Sequence, residues 1–213
     1  MLGHGTLAVV HDDAACVVVV KPAGLLSVPG RGEQGQDCLS AQVQAAFSDA
    51  LVVHRLDMAT SGLILFARGA AAQRALSIAF AARDVHKRYL AVVDGLVEHD
   101  TGEIDLPLMA DWPNRPKQKT DREHGKPSLT HYRVLARDES AGTTRVELEP
   151  VTGRAHQLRV HLLSLGHPIL GDALYAPPEV QARADRLLLH ASALRFAHPV
   201  SGNTMAFESP APF

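Results

Sequence analysis

Hydrophobic residues along this chain fall mainly into short runs with the spacing of β-strands. The runs at 7–10 and 16–20 flank the polar tripeptide His11-Asp12-Asp13, and this arrangement predicts a hairpin. Further apolar runs predict strands at residues 89–93, 129–136, 144–149, 187–196 and 204–207. The last two runs flank a polar, glycine-containing turn, so a second hairpin is predicted near the end of the sequence.

Helical spacing occurs in three places. An apolar stripe within 39–47 follows Asp37, which is expected to cap that helix. The alanine-rich segment 70–82 predicts a second helix. Leucines at helical spacing within 158–165, followed by Gly166 as a stop, predict a third. Strands interleaved with a few helices, and joined by short turns, indicate an α+β fold.

The segment 102–126 is rich in proline, glycine and charged residues, with little periodicity. Loops of this length are usually functional or disordered, and we interpret the segment as an excursion from the sheet. A chain of 213 residues can hold one large domain or two small lobes around one sheet.

Composition adds few constraints: 46% of the residues are apolar and 21% are charged. The sequence shows no signal-peptide pattern and no apolar run near the roughly 20 residues of a membrane span. Cys16 and Cys38 have no metal-type spacing and cannot form a disulfide framework. A reduced, cytoplasmic protein without membrane association is therefore expected.

The net charge of −2 argues against binding nucleic acid through overall charge. Phosphate binding, however, needs only a local basic stripe. One stripe contains Arg83, His86, Lys87 and Arg88; a second contains Arg115, Lys117, Lys119, Arg122 and Lys126. The alternative is that each stripe is an ordinary solvated loop or helix end.

The stretch 54–62, His-Arg-Leu-Asp-Met-Ala-Thr-Ser-Gly, carries the most specific chemistry. Arg55 and Asp57 lie two residues apart between apolar runs, and unpaired charges are costly in a core. We therefore expect this pair where the sheet opens to a cleft, with Gly62 ending a tight turn that presents the carboxylate. The pattern alone leaves two alternatives open: a catalytic carboxylate, or a strand–turn–strand with a structural ion pair.

This stretch resembles the H-R-L-D-x-x-T-S-G signature of the RluA family of RNA pseudouridine synthases. Segments 87–95, 153–161, 166–172 and 189–191 are similar to further family motifs and follow in the same order. The resemblance implies the pseudouridine synthase fold: a long, mainly antiparallel mixed sheet with flanking helices and a central cleft. It implies a single catalytic domain over 1–213, two lobes around one sheet, without the S4-like domain of some relatives. It also implies an isomerase that needs no cofactor and no metal.

Three residues correspond to the catalytic positions of that family. Asp57 matches the nucleophile, and Arg159 matches the arginine that pairs with it and keeps it ionised. Because Arg159 lies one residue off the leucine stripe of 158–165, we expect it to leave the core-facing line and reach a cleft. Tyr89 matches a tyrosine that stacks on the target base. Proton transfer by Tyr89 is a further hypothesis, but a phenol is a poor base at neutral pH, so stacking is favoured.

Arg55 is expected to hold RNA when the target base leaves its stack, because residues i and i+2 of a strand share a face. The alternative is an ion pair with Asp57. Weaker RNA-binding candidates are His54, Arg154, Lys21, Arg115, Lys117 and Lys119. For His54 the alternative is a hydrogen-bonded structural histidine, and for Lys21 it is the end of a strand.

Two other residues have open interpretations. Asp172, which follows Gly171, is expected to be a turn or capping residue and not a second catalytic acid. Trp112 is expected either to stack on an RNA base or to pin its own loop to the protein.

The segment 111–119 resembles dual-specificity members of the family, which implies 23S rRNA and a tRNA anticodon stem-loop as partners and no obligate protein partner. A synthase acting on one of these RNAs is the alternative. A metal-dependent hydrolase built from the histidines is disfavoured, because His156 and His161 are five residues apart whereas zinc helices use four. An RNA-binding protein that has lost the reaction is disfavoured because every catalytic position holds the expected residue type.

Overall fold

The computed structural model describes residues 7–30 and 37–213. They divide into two compact units, the first formed by residues up to 86 together with 191–210, and the second by 87–190 with 211–213. The single catalytic domain implied for 1–213 stays a prediction, and residues 1–6 and 31–36 of that range lie outside the described part.

The strands, in chain order, are β1 (Ala8–Asp12), β2 (Cys16–Lys21), β3 (Ala50–Val52), β4 (Ser61–Arg68), β5 (His86–Asp94), β6 (Thr101–Asp105), β7 (Leu108–Ala110), β8 (Gln118–Thr120), β9 (Leu129–Asp138), β10 (Thr143–Pro150), β11 (Leu189–Ala197) and β12 (Thr204–Glu208). The α-helices are α1 (Leu39–Ala46), α2 (Gly69–Ala82), α3 (Gln157–Ser164) and α4 (Pro178–Gln181), and a short 3₁₀ helix covers Trp112–Asn114.

In the first unit the strand order is β1-β2-β4-β11, with β3 also paired to β4 and β12 paired to β11. Strands β2 and β4 are buried along almost their whole length, so their sequences are continuous apolar runs and do not alternate. Their side chains pack with Leu76 of α2 and with Leu194 and Phe196 of β11. This apolar cluster anchors the loop that joins β3 to β4.

In the second unit β5, β10, β9 and β6 form antiparallel neighbours in that order. Strands β7 and β8 pair separately as a small antiparallel ribbon. Helix α3 follows β10, and its residues 157–162 are all buried. The predicted α+β class and mainly antiparallel pairing are confirmed.

Long, strongly patterned elements were predicted well, including both hairpins and the three longer helices. Two expectations differ from the structure in detail. The N-cap of α1 is Cys38 and no side chain caps the helix, whereas Asp37 was expected there. The segment 102–126, interpreted as an excursion from the sheet, begins within β6 of that sheet and then leaves it to form the separate β7–β8 ribbon. Throughout 7–30 and 37–213, no helix is both long enough and apolar enough to cross a membrane.

We expect Gly62→Ala to reduce the free energy of unfolding by about 3 kcal/mol or more. Gly62 has φ +116°, and an added Cβ would overlap the backbone of Ala191. Gly69→Ala is the matched control, because Gly69 has φ +74° but open space around it. Strain alone should then cost about 1 kcal/mol. Equal losses for the two variants in urea denaturation would contradict this packing argument.

Candidate active site

Asp57 lies in the loop between β3 and β4, and residues 53–57 are not part of a strand. The expectation that Arg55 and Asp57 share a strand face was therefore wrong in its premise. Burial nevertheless differs from residue to residue along this segment: Arg55 is exposed, Leu56 is buried and Asp57 is partly buried. Leu56 thus anchors the loop while its two charged neighbours remain accessible to solvent.

The backbone on both sides of Asp57 is fixed by hydrogen bonds. The Ser27 hydroxyl accepts the N–H of Leu56 at 3.0 Å and donates to the carbonyl of the same residue at 2.7 Å. On the other side, the Met58 carbonyl accepts the N–H of Gly24 at 2.8 Å. A carboxylate on such a doubly held backbone loses little further freedom when substrate binds.

Lys21 holds the same loop from inside the protein. Its side chain is completely buried, and its ammonium donates to the carbonyls of Pro22, Leu25 and Met58 at 2.7–2.9 Å. An ammonium has three N–H donors, and these three carbonyls use that number. The prediction of Lys21 as an RNA-binding residue is therefore wrong: it stabilises the loop that carries Asp57.

His54 is also used inside the first unit. Its Nε2 accepts the backbone N–H of Leu65 at 2.9 Å, and its ring stacks on Phe80 with the centroids 4.6 Å apart. These contacts agree with the structural alternative given for His54. A direct role in binding RNA stays a prediction.

Arg55 differs from its neighbours because its guanidinium makes no hydrogen bond or ion pair with the residues that the structure describes. The alternative of a structural ion pair between Arg55 and Asp57 is thus not supported. An exposed guanidinium next to the candidate nucleophile is suited to gripping a phosphate or stacking on a base.

In the second unit Tyr89 lies on β5, half-buried, opposite Leu148 of β10. Lys87 precedes it on the same strand. Burial lowers the pKa of Lys87, and the nearby charge of Glu149 partly opposes this shift.

Arg159 lies on α3 and is only 4% exposed, so the expectation that it would leave the core-facing line was wrong. The reason is that α3 is buried around most of its circumference, not along one stripe. The guanidinium forms a two-point ion pair with Asp172: Nε donates to Oδ2 at 2.8 Å and Nη2 to Oδ1 at 2.6 Å.

Asp172 was expected to be a turn or capping residue, and this is confirmed. Its Oδ1 accepts the backbone N–H groups of Leu174 and Tyr175 at 2.9 and 3.2 Å. Its ion pair with Arg159 was not predicted from the sequence.

Two other residues near α3 differ in accessibility. Arg154 is exposed, and its Nε donates to the Pro127 carbonyl at 3.3 Å. His161 is completely buried, and its ring nitrogens contact the Thr130 hydroxyl and the Leu106 carbonyl. Burial lowers the pKa of His161, so the ring is neutral and structural.

The connection between β7 and β8 presents an aromatic ring and several cations to solvent. Trp112 is 62% exposed, and the Arg115 guanidinium lies over its ring at 4.3 Å from the centroid. Lys117 and Lys119 follow on the same ribbon, and neither forms a salt bridge within the described chain. The alternative that Trp112 pins its loop to the protein does not fit this exposure.

The ligand-type atoms of His11, Asp13 and Cys16 all lie within 4.8 Å of one another. The carboxylate of Asp13 already accepts hydrogen bonds from the backbone N–H groups of Ala15 and Cys16. Burial raises the pKa of the Cys16 thiol to about 12, and the Asp13 carboxylate adds to this shift. A protonated thiol is a poor metal ligand, so the cluster is explained best as a hydrogen-bonded turn.

Comparisons with known proteins agree with this picture. A family model described as RNA pseudouridylate synthase matches residues 15–164. Relatives from Yersinia pestis and Escherichia coli (strain K12), both named dual-specificity RNA pseudouridine synthase RluA, are each 52% identical to this chain. The matches cover 97% of this chain in each case, and 100% and 94% of those two relatives.

A solved structure of human RNA Pseudouridylate Synthase Domain Containing 1 has a TM-score of 0.82 and 31% identity, covering 98% of this chain and 84% of that chain. The chain belongs to the RNA pseudouridylate synthase family. The predictions of an RNA pseudouridine synthase, an isomerase, and of the α+β fold of this family are confirmed.

Two residues that contact the segments carrying the candidate site residues were missed by sequence reasoning. Ser27 is separated from its partner Leu56 by 29 positions, and no local pattern connects them. Tyr175 lies under the Arg159 guanidinium, with the ring centroid at 4.9 Å, and only its place three residues after Asp172 could have drawn attention to it.

We expect Lys21→Met to lower the free energy of unfolding by about 2–4 kcal/mol, because buried carbonyls lose their donor. Amide exchange at Thr60, whose N–H donates to the Asp57 carbonyl, should become faster. The control is Lys119→Met, an exposed site where the change should stay within about 0.5 kcal/mol. Wild-type stability of Lys21→Met would show that the ammonium does not hold the loop.

Proposed function

We propose that this synthase converts specific uridines to pseudouridine in both 23S rRNA and the tRNA anticodon stem-loop. The observation that carries this proposal is the 52% identity to relatives named dual-specificity over almost the whole of both chains. The resemblance of segment 111–119 to dual-specificity members supports it. A synthase that acts on one of these RNAs is the alternative.

The reaction breaks the bond between C1′ of the ribose and N1 of the base, turns the base, and joins C1′ to C5. N1 gains a proton and C5 loses one, so the product is an isomer of the substrate. We assign Asp57 as the nucleophile. Its partly buried side chain and the hydrogen bonds on both sides of its backbone support this role.

Arg159 is proposed to keep the Asp57 carboxylate ionised. A guanidinium has five N–H donors, and the two-point pair with Asp172 engages Nε and Nη2. The resemblance implies this role for Arg159. The deep burial of the guanidinium supports it, because a buried cation interacts more strongly with an anion than a solvated one does.

Tyr89 is proposed to stack on the target base, a role that suits a half-buried ring with a polar tip. Arg55 is proposed to contact RNA near the vacated position of that base. Its exposure and its lack of an ion pair with the described residues support this assignment. A flipped base costs a few kcal/mol in lost stacking, which such contacts would offset.

The β7–β8 ribbon is proposed as a second RNA contact. Trp112 offers a face for stacking on a base, while Arg115, Lys117 and Lys119 supply positive charge. Arg154 is proposed to add a further phosphate contact, since it is exposed. These contacts are local, so they are compatible with a net charge of −2.

Asp57→Asn should reduce tritium release from 5-tritiated uridine to background, a loss of at least about 10³-fold, because an amide is not a nucleophile here. The assay uses a 23S rRNA fragment and a tRNA anticodon stem-loop in parallel. Wild-type protein should release tritium from both RNAs.

Filter binding provides the control, because the variant should still hold both RNAs with an affinity that falls as salt rises. Equal release by the variant and the wild type would end the assignment of Asp57. Release from one RNA only would establish the single-substrate alternative.

Trp112→Ala should weaken RNA binding by about 5- to 100-fold, because base–aromatic stacking contributes roughly 1–3 kcal/mol. Trp112→Phe is the matched control and should retain most of the affinity. The salt dependence should be unchanged in both variants, whereas Lys119→Ala should reduce its slope by about 1. Wild-type affinity of Trp112→Ala would remove this surface from the proposed function.

A further inference from the structure

The ion pair of Arg159 and Asp172 is more deeply buried than an ordinary surface pair, since the side chains are 4% and 1% exposed. Burying two charges is costly, and replacing such a pair by apolar residues is often neutral or stabilising. A contribution to folding stability therefore does not explain this ion pair well. A two-point contact does, however, fix the plane of the guanidinium.

The carboxylate of Asp172 is itself held in place. Its Oδ1 accepts two backbone N–H groups of the following turn as well as the guanidinium. Gly171 precedes it with φ +73°, and a Cβ there would overlap the backbone of Arg186. The carboxylate is thus held by hydrogen bonds from α3 and from its own turn, and that turn is closely packed against the backbone of Arg186.

Tyr175 holds the guanidinium through a different contact. Its ring lies 4.9 Å from the Arg159 guanidinium carbon, a distance suited to a cation–π interaction. Its hydroxyl contacts His156 Nδ1 at 2.6 Å and accepts the backbone N–H of Gln118 at 2.8 Å. The ring is therefore tied to the residue before α3 and to the first residue of β8.

We infer that Asp172 and Tyr175 are positioning residues for the isomerisation, acting through Arg159. Asp172 fixes the plane of the guanidinium and Tyr175 supports it from a ring face. This inference rests on the catalytic role proposed for Arg159. Neither residue is assigned a contact with the reacting atoms.

The test measures single-turnover pseudouridine formation with saturating RNA, together with RNA affinity and thermal unfolding. Asp172→Asn keeps the size of the side chain but removes its charge and replaces one acceptor by a donor. We expect the rate to fall by about 10²-fold, as misplacement of a catalytic group by about 1 Å can do. RNA affinity should stay within about 3-fold.

The same substitution is then made in an Arg159→Ala background. A residue that acts only through Arg159 should have almost no further effect there, since the group it positions is gone. An equal loss in both backgrounds would overturn the inference. A wild-type rate for Arg159→Ala would instead contradict the proposed catalytic role of Arg159. This result distinguishes failure of the proposed function from failure of the positioning role inferred for Asp172.

Tyr175 gives an independent set of variants if Asp172→Asn fails to fold. Tyr175→Phe keeps the ring and should retain the rate within about 5-fold, whereas Tyr175→Leu should lose about 10-fold or more. Wild-type rates for Tyr175→Leu would overturn the role of the ring. Asp49→Asn is the matched control, because it removes an exposed contact with Arg68 and should leave the rate unchanged.

Discussion

The buried ammonium of Lys21 is the interaction on which the rest of the candidate site depends. A charged group without solvent must find full hydrogen bonding inside the protein, and Lys21 finds it in three carbonyls. Two of these carbonyls, of Pro22 and Leu25, follow β2, and the third, of Met58, follows the candidate nucleophile. The requirement of one cation therefore joins two loops that the β-strands alone would leave independent, and it sets where Asp57 can lie.

The second unit meets a similar constraint with opposite charges. Arg159 is only 4% exposed, so its guanidinium needs acceptors inside the protein, and Asp172 supplies two carboxylate oxygens in a defined orientation. Burying a charged side chain is costly in both units. In each case the acceptors of that charge belong to segments that backbone hydrogen bonds already hold in place. Within each unit, these hydrogen bonds fix the position of the charged group more directly than the apolar packing of the strands does.

The strands and longer helices could be predicted because their patterns are local: continuous apolar runs for β2 and β4, and helical spacing for α2. The catalytic positions could be predicted because ordered motifs resemble those of a family. Lys21 could not be placed correctly, because its acceptor on Met58 lies 37 residues away and no local pattern records that contact. Arg159 was misplaced for a related reason: helical periodicity assumes one buried face, whereas α3 is buried around most of its surface. The short strands β7 and β8 were missed because three residues are too few to show a period.

The net charge of the chain is a poor guide to its partner because the acidic residues are unequally available. Asp172 is neutralised by Arg159, and Glu147 forms ion pairs with Arg88 and Arg133. By contrast, Lys119 lies exposed on the ribbon that carries the Trp112 ring. Arg115, Lys117 and Lys119 lie close together along the chain after Trp112, and such a local group of cations can attract a polyanion even though the whole chain has a formal charge of −2. For an enzyme acting on RNA, the distribution of charged residues is therefore more informative about substrate binding than the net charge.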